Sequence, residues 1–141
     1  MTWILYAFLS AGFAALVAIF GKVGIQNLDS TLATTVRAVI MAVFLLVVSI
    51  SLGKLKDFSM SSFTGREWLF IVLAGIAGAL SWLFYFFALK QGPATAVAAI
   101  DRTSVIFVAL LAAVFLGELF GWKQGVGVIL IALGVYLVVG R

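Results

Sequence analysis

The chain has 141 residues, 65% of them hydrophobic and 10% charged, with a net charge of +4 and a mean hydropathy of +1.30. A water-soluble domain of this length needs more polar surface than that, so the composition places the chain in a lipid bilayer. Cysteine and histidine are both absent, which removes disulfides, thiol chemistry, the usual zinc sites and the commonest general base; with no phosphate loop and no basic run suited to nucleic acid, the chain is not expected to be an enzyme or to bind a metal, a cofactor or nucleic acid.

Residues 1–21 carry no charge and open with Trp3 and Tyr6, where an interfacial aromatic belt belongs. A signal peptide would need a basic leading region and a soluble mature protein, and neither is present. The stretch is read as a first membrane helix over about 3–21. Ala7, Ala11, Ala14, Ala18 and Gly21 recur at steps of four and three. They form a stripe of small residues that lets another backbone approach, unless they are merely common membrane residues.

A polar connection over 22–30 offers Asp29, Ser30 and Thr31 as helix caps. The second helix is expected over 31–52, with Arg37 in its second turn. Residues 54–67 are the longest polar stretch, a loop between spans. The third helix, 68–89, has no charge and aligns Gly75, Gly78, Ala79, Trp82 and Phe86 on one face. Its glycines invite a tight crossing. Trp82 and Tyr85 either line a pocket for an amphipathic substrate or sit in the interfacial belt near Lys90.

The fourth helix, 93–117, starts at a proline in the position that tolerates one. It carries an adjacent acid and base, Asp101 and Arg102. Asp101 lies 8 residues past Pro93, or ~12 Å along the axis, well inside a hydrocarbon core roughly 30 Å thick. A charge at that depth faces a partner or a wet cavity. Glu118, beside Trp122 and Lys123, reads as interfacial. The fifth helix, 124–140, is just long enough to cross, with Gly127 and Gly134 as a close-packing seam. The expected fold is therefore all-α: a single polytopic membrane domain over 1–141 with five transmembrane helices.

Five spans put the termini on opposite sides. One side then receives Lys54, Lys56, Arg66 and Lys123, and the other Lys22, Arg37, Lys90, Arg102 and Arg141. The bias is close to nil, so the positive-inside rule assigns no firm orientation, and insertion in both directions is expected. Many transporters bind substrate between two repeats of inverted topology, and a unit with an odd number of spans inverts when duplicated. This chain has one such unit. It reads as one half of an inverted-repeat transporter fold, completed by an antiparallel second copy or by a paralogous half.

Arg37 lies 7 residues past Ser30, at nearly the depth of Asp101. Either Arg37 snorkels to the headgroups, or Asp101 pairs with it, or Asp101 pairs with its neighbour Arg102 through solvent. Ser104 and Val105 continue the Asp101 face. The substrate- or ion-binding candidates are thus Asp101, Arg37, Arg102, Ser104, Trp82 and Tyr85, and the helix-packing candidates Ala11, Ala14, Ala18, Gly75, Gly78, Gly127 and Gly134. In the functional reading Asp101 is a proton or cation site; in the structural one the pair is a fixed clamp.

The stretch Ala88-Leu89-Lys90-Gln91-Gly92, then Ile100-Asp101-Arg102-Thr103-Ser104-Val105, Phe115-Leu116-Gly117-Glu118, Gly125 and Leu130-Ile131-Ala132-Leu133-Gly134, resembles the EamA family of the drug/metabolite transporter superfamily. Phe20-Gly21-Lys22 and Leu32-Ala33-Thr34 match it more loosely. The chain is similar to half-length, five-helix members, and lacks the proline usual near Thr103 and Ser104. The resemblance implies a secondary transporter of small metabolites or amino-acid-like solutes, in a bacterial or archaeal inner membrane. The alternative is a non-transporting subunit of a larger heteromeric complex.

Overall fold

The computed structural model describes residues 2–56, 58–59, 63–119 and 121–140. Six α-helices follow one another: α1 (Thr2–Gly24), α2 (Ser30–Ser51), α3 (Gly65–Gln91), α4 (Ala94–Asp101), α5 (Ser104–Leu111) and α6 (Trp122–Val139), with a π-helical turn, Ala112–Leu116, continuing α5. Taking α4 through the π turn as one crossing, five segments of the described residues are long and apolar enough to span a bilayer. The shortest, α6, has 18 residues, about 27 Å at a 1.5 Å rise, close to the hydrocarbon thickness. The protein is an all-α integral membrane protein.

Local chemistry sets the helix ends. Of the three caps that the sequence offers α2, Asp29 serves: its carboxylate accepts the Leu32 amide at 2.9 Å, satisfying one of the unpaired N–H groups of the first turn. The far end closes on Gly53, at φ +67°. There the Gly53 amide donates to the Ile50 carbonyl and the Lys54 amide to the Ser49 carbonyl, a left-handed stop that glycine adopts without strain. Helix α3 begins three residues before the expected Trp68, because Thr64 and Glu67 form a reciprocal cap. Glu67 Oε2 accepts from the Thr64 amide at 2.7 Å, and Thr64 Oγ1 accepts from the Glu67 amide at 3.4 Å. Helix α6 likewise starts early, with Gln124 Oε1 accepting the Gly121 amide at 2.6 Å.

The fourth crossing differs most from expectation. Read from sequence as one helix over 93–117, it is interrupted at Arg102 and Thr103. Both residues have 3₁₀-like backbone angles, with ψ of −13° and −16°. The Thr103 amide reaches back three residues to the Ile100 carbonyl, and the Val105 amide does the same to that of Arg102. No proline causes this. Thr103 Oγ1 donates to the same Ile100 carbonyl at 2.7 Å, and hydroxyl bonds of that kind compete with the ladder and bend helices. The crossing ends in the π turn and on Gly117, at φ +66°.

The chain divides into two compact units, Met1–Val23 with Gln91–Arg141, and Gly24–Lys90. In the first, α4 packs on α6, and Lys22 Nζ donates to the Gly92 carbonyl at 2.8 Å, tying the end of α1 to the start of the fourth crossing. In the second, α2 and α3 form an antiparallel hairpin. Lys90 Nζ donates to the Leu28 carbonyl at 2.8 Å, and Arg37 meets Trp82 and Phe86, so numbering falls along one helix as it rises along the other. The buried residues, Ala18, Ile25, Ser30, Thr34, Phe86, Leu89 and Val97, lie close in sequence to the two short links 25–29 and 92–93. Elsewhere large apolar side chains are exposed, Phe115 to 78% and Leu119 to 94%, as suits surfaces solvated by lipid.

Candidate functional site

The six expected binding residues fall into two clusters, one in each unit. In the α2–α3 unit, Arg37 and Trp82 come together. Arg37 projects from the face of α2 that also carries Thr34, Ala38 and Met41, at helical spacing. Its guanidinium carbon lies 3.7 Å from the Trp82 ring centroid and 5.5 Å from that of Phe86. A cation over an aromatic face gains from the ring quadrupole, more so where water is scarce. Tyr85 meets the Trp82 ring edge-on at 5.5 Å, and Phe86 lies 6.1 Å from it. Phe86 is 3% exposed and gives the cluster a buried anchor. The unit's described carboxylates, Asp29 and Glu67, are engaged on helix starts.

Of this cluster, Arg37 and Trp82 line a groove of about 630 Å³ between α2 and α3. Thr31, Thr34 and Thr35 lie at one end with Arg37, while Met41, Ala42 and Leu45 face Ala74, Gly75 and Gly78 further along. The hydroxyl protons of two of the threonines are already committed. Thr34 Oγ1 donates to the Ser30 carbonyl at 2.7 Å, and Thr35 Oγ1 to that of Thr31 at 2.9 Å. Their oxygens therefore offer lone pairs. The groove joins a cation, hydroxyl acceptors and an apolar floor. The threonines were not among the expected site residues, although Thr34 at three residues before Arg37 was the signal for one of them. Phe86, four residues past Trp82, was legible on the same grounds.

The second cluster is the interruption of the fourth crossing. Asp101 is the last residue of α4 and half-buried; Arg102 and Ser104 are exposed. Thr103, which the sequence did not single out, holds the turn. Asp101 closes α4, and the amides of the turn bond back into it, Arg102 to the Ala98 and Ala99 carbonyls and Thr103 to that of Ile100, so a charged side chain stands at a 3₁₀ turn within the crossing. The expected Arg37–Asp101 pair would join the two units. A separate groove of about 270 Å³ in the first unit is lined by Val105, Ala109, Glu118, Gln124, Gly127 and Val128, among others.

The expected packing residues divide. Ala18 is 5% exposed, Ala14 half-buried and Ala11 exposed. A Cβ added at Gly75, Gly78, Gly127 or Gly134 would meet no heavy atom within 4 Å, so these glycines leave open space beside their helices. Among the described residues, no group of three or more carboxylates, histidines or cysteines could hold a metal ion.

Five segments of membrane length among the described residues, with few charged residues in them, define a polytopic membrane protein. The chain belongs to the EamA-like transporter family, whose model matches residues 1–140. A protein of Sinorhizobium sp., named as an uncharacterized transporter in the cobO 3' region, is 40% identical to it over 136 residues, 96% of this chain and 95% of that one. No solved structure matches the chain.

Proposed function

We propose that the chain is a secondary transporter that moves small metabolites or amino-acid-like solutes by alternating access, as an antiparallel homodimer in the inner membrane of a bacterial or archaeal cell. The observation that carries this reading is the break in the fourth crossing at Asp101. Transporters build substrate and coupling-ion sites from interrupted helices near the bilayer midplane, with helix carbonyl ends facing the cation. Asp101 then takes up the proton or cation that drives the cycle. Family membership supports the transport role. The five spans and the near-even distribution of basic residues support assembly with an oppositely inserted copy.

The test is flux in lipid vesicles that contain this chain alone. Solute accumulation driven by an imposed proton or sodium gradient, lost in Asp101→Asn with insertion unchanged, is the expected result. Normal insertion of the native chain with no gradient-driven flux for any metabolite tried would instead favour a non-transporting subunit. Loss of insertion in Asp101→Asn would make the carboxylate a structural clamp.

A further inference from the structure

We propose that the α2–α3 groove is the substrate site and that it selects organic carboxylates: small, water-soluble molecules with a carboxylate at one end, an uncharged N–H or O–H donor beside it, and an apolar body. The inference rests on the transporter reading above and narrows its substrate class.

Three features of the groove lead to this. The first is the cation. Contact with a ring face uses none of the five N–H donors of a guanidinium, so Trp82 holds the Arg37 head 3.7 Å away while leaving its donors available. A guanidinium fork matches a carboxylate in two parallel hydrogen bonds. Holding the head in advance reduces the entropy lost on binding. The second is the pair of threonine hydroxyls. Because Thr34 and Thr35 spend their protons on backbone carbonyls, they accept rather than donate. An acceptor near a guanidinium complements a ligand with an uncharged donor next to its carboxylate, such as a 2-hydroxy acid. The third is the remainder of the lining. Met41, Leu45, Ala74 and Gly75 make a floor for an apolar body, and the groove's volume of about 630 Å³ falls within the range of small-molecule sites. Nothing in the lining besides Arg37 carries a charge, so a cationic ligand has no counterion there.

A lipid phosphate could present the same oxyanion, and the experiment separates the two sources. In a protein with Trp3, Trp68 and Trp122 replaced by phenylalanine, Trp82 is the sole tryptophan of the four, and its emission reports on the ring under Arg37. The protein is placed in phosphatidylcholine vesicles and titrated with 4-methylpentanoate, its 2-hydroxy and 2-amino derivatives, the matching amine and the matching amide. A saturable change with the carboxylates, strongest for the 2-hydroxy derivative and absent for the amine, is expected. Arg37→Gln should raise the half-saturating concentration about ten- to hundredfold, the loss of a charge-assisted pair of bonds, and Arg37→Lys should restore part of it. Equal binding of the amine, equal binding by Arg37→Gln, or no response to any of the carboxylates would overturn the inference. So would a response to vesicles containing phosphatidylglycerol with none to the soluble acids. Flux measured in the same vesicles keeps the two readings apart. Carboxylate binding without flux would sink the transport reading and leave the site standing, while flux of solutes without regard to a carboxylate would do the reverse.

Discussion

At the scale of single residues, the most informative contact is Arg37 on Trp82. An arginine in an otherwise apolar helix is costly, and here aromatic rings face it. Trp82→Leu removes the ring and should lower stability by about 1–2 kcal/mol, read as a lower midpoint in a thermal or denaturant melt in detergent; Trp82→Phe should recover most of it. A second residue gives the opposite expectation. Ser30 is 2% exposed and its Oγ has no hydrogen-bond partner among the described residues. An unpaired buried hydroxyl is a liability, so Ser30→Ala should leave stability unchanged or raise it by up to about 1 kcal/mol. A marked loss of transport in that variant, with the fold intact, would place Ser30 on the substrate path. Both side chains were readable in the sequence as polar groups near a helix start. That the rings of α3 meet Arg37 was not, because nothing in the spacing of α2 says which residues of α3 it faces.

At the scale of elements, the fourth crossing is the one whose helix is interrupted, at Arg102 and Thr103. Where a hydroxyl bond rather than a proline interrupts a helix, every residue keeps its amide and the ladder can re-form once the competing donor is gone. Thr103→Val keeps the shape and removes the hydroxyl that bonds Ile100. Stability within about 1 kcal/mol of the native chain is expected, with transport reduced, because the Asp101 carboxyl would no longer stand at a helix end. Unchanged flux would show that the turn is incidental. The stops at Gly53 and Gly117 depend instead on glycine itself. Gly117→Ala forces an L-residue to φ +66° and should cost about 1–2 kcal/mol, visible as a lower melting midpoint. The ends of α2 were readable from Asp29 and Gly53. The start of α3 was also written in the sequence, as Thr64-Gly65-Arg66-Glu67, although Trp68 was the expected first residue.

At the scale of the whole molecule, the composition required a bilayer and the structure supplies helices long enough to cross it. The proposed antiparallel copy would need helix faces that admit a second backbone. The open space beside Gly75, Gly78, Gly127 and Gly134 suits the close approach of helices from a second copy. Since the chain has no cysteine, a single cysteine introduced near either terminus reports its side directly. Labelling intact cells with a membrane-impermeant maleimide should reveal two populations for each position. One clean orientation would exclude an antiparallel homodimer and point to a paralogous half.

Hydrophobicity and charge alone determined that this is a membrane protein of five crossings, because lipid imposes one rule on every residue that enters it: backbone polar groups must be satisfied within the helix and charges kept few. Which groups meet is another kind of fact. The seat of Arg37 on Trp82, the groove with its committed threonines and the turn that sets Asp101 at a helix end arise from the register between α2 and α3 and from a hydroxyl's competition for one carbonyl. Those are settled by packing and by hydrogen-bond geometry, which no periodicity along the chain encodes.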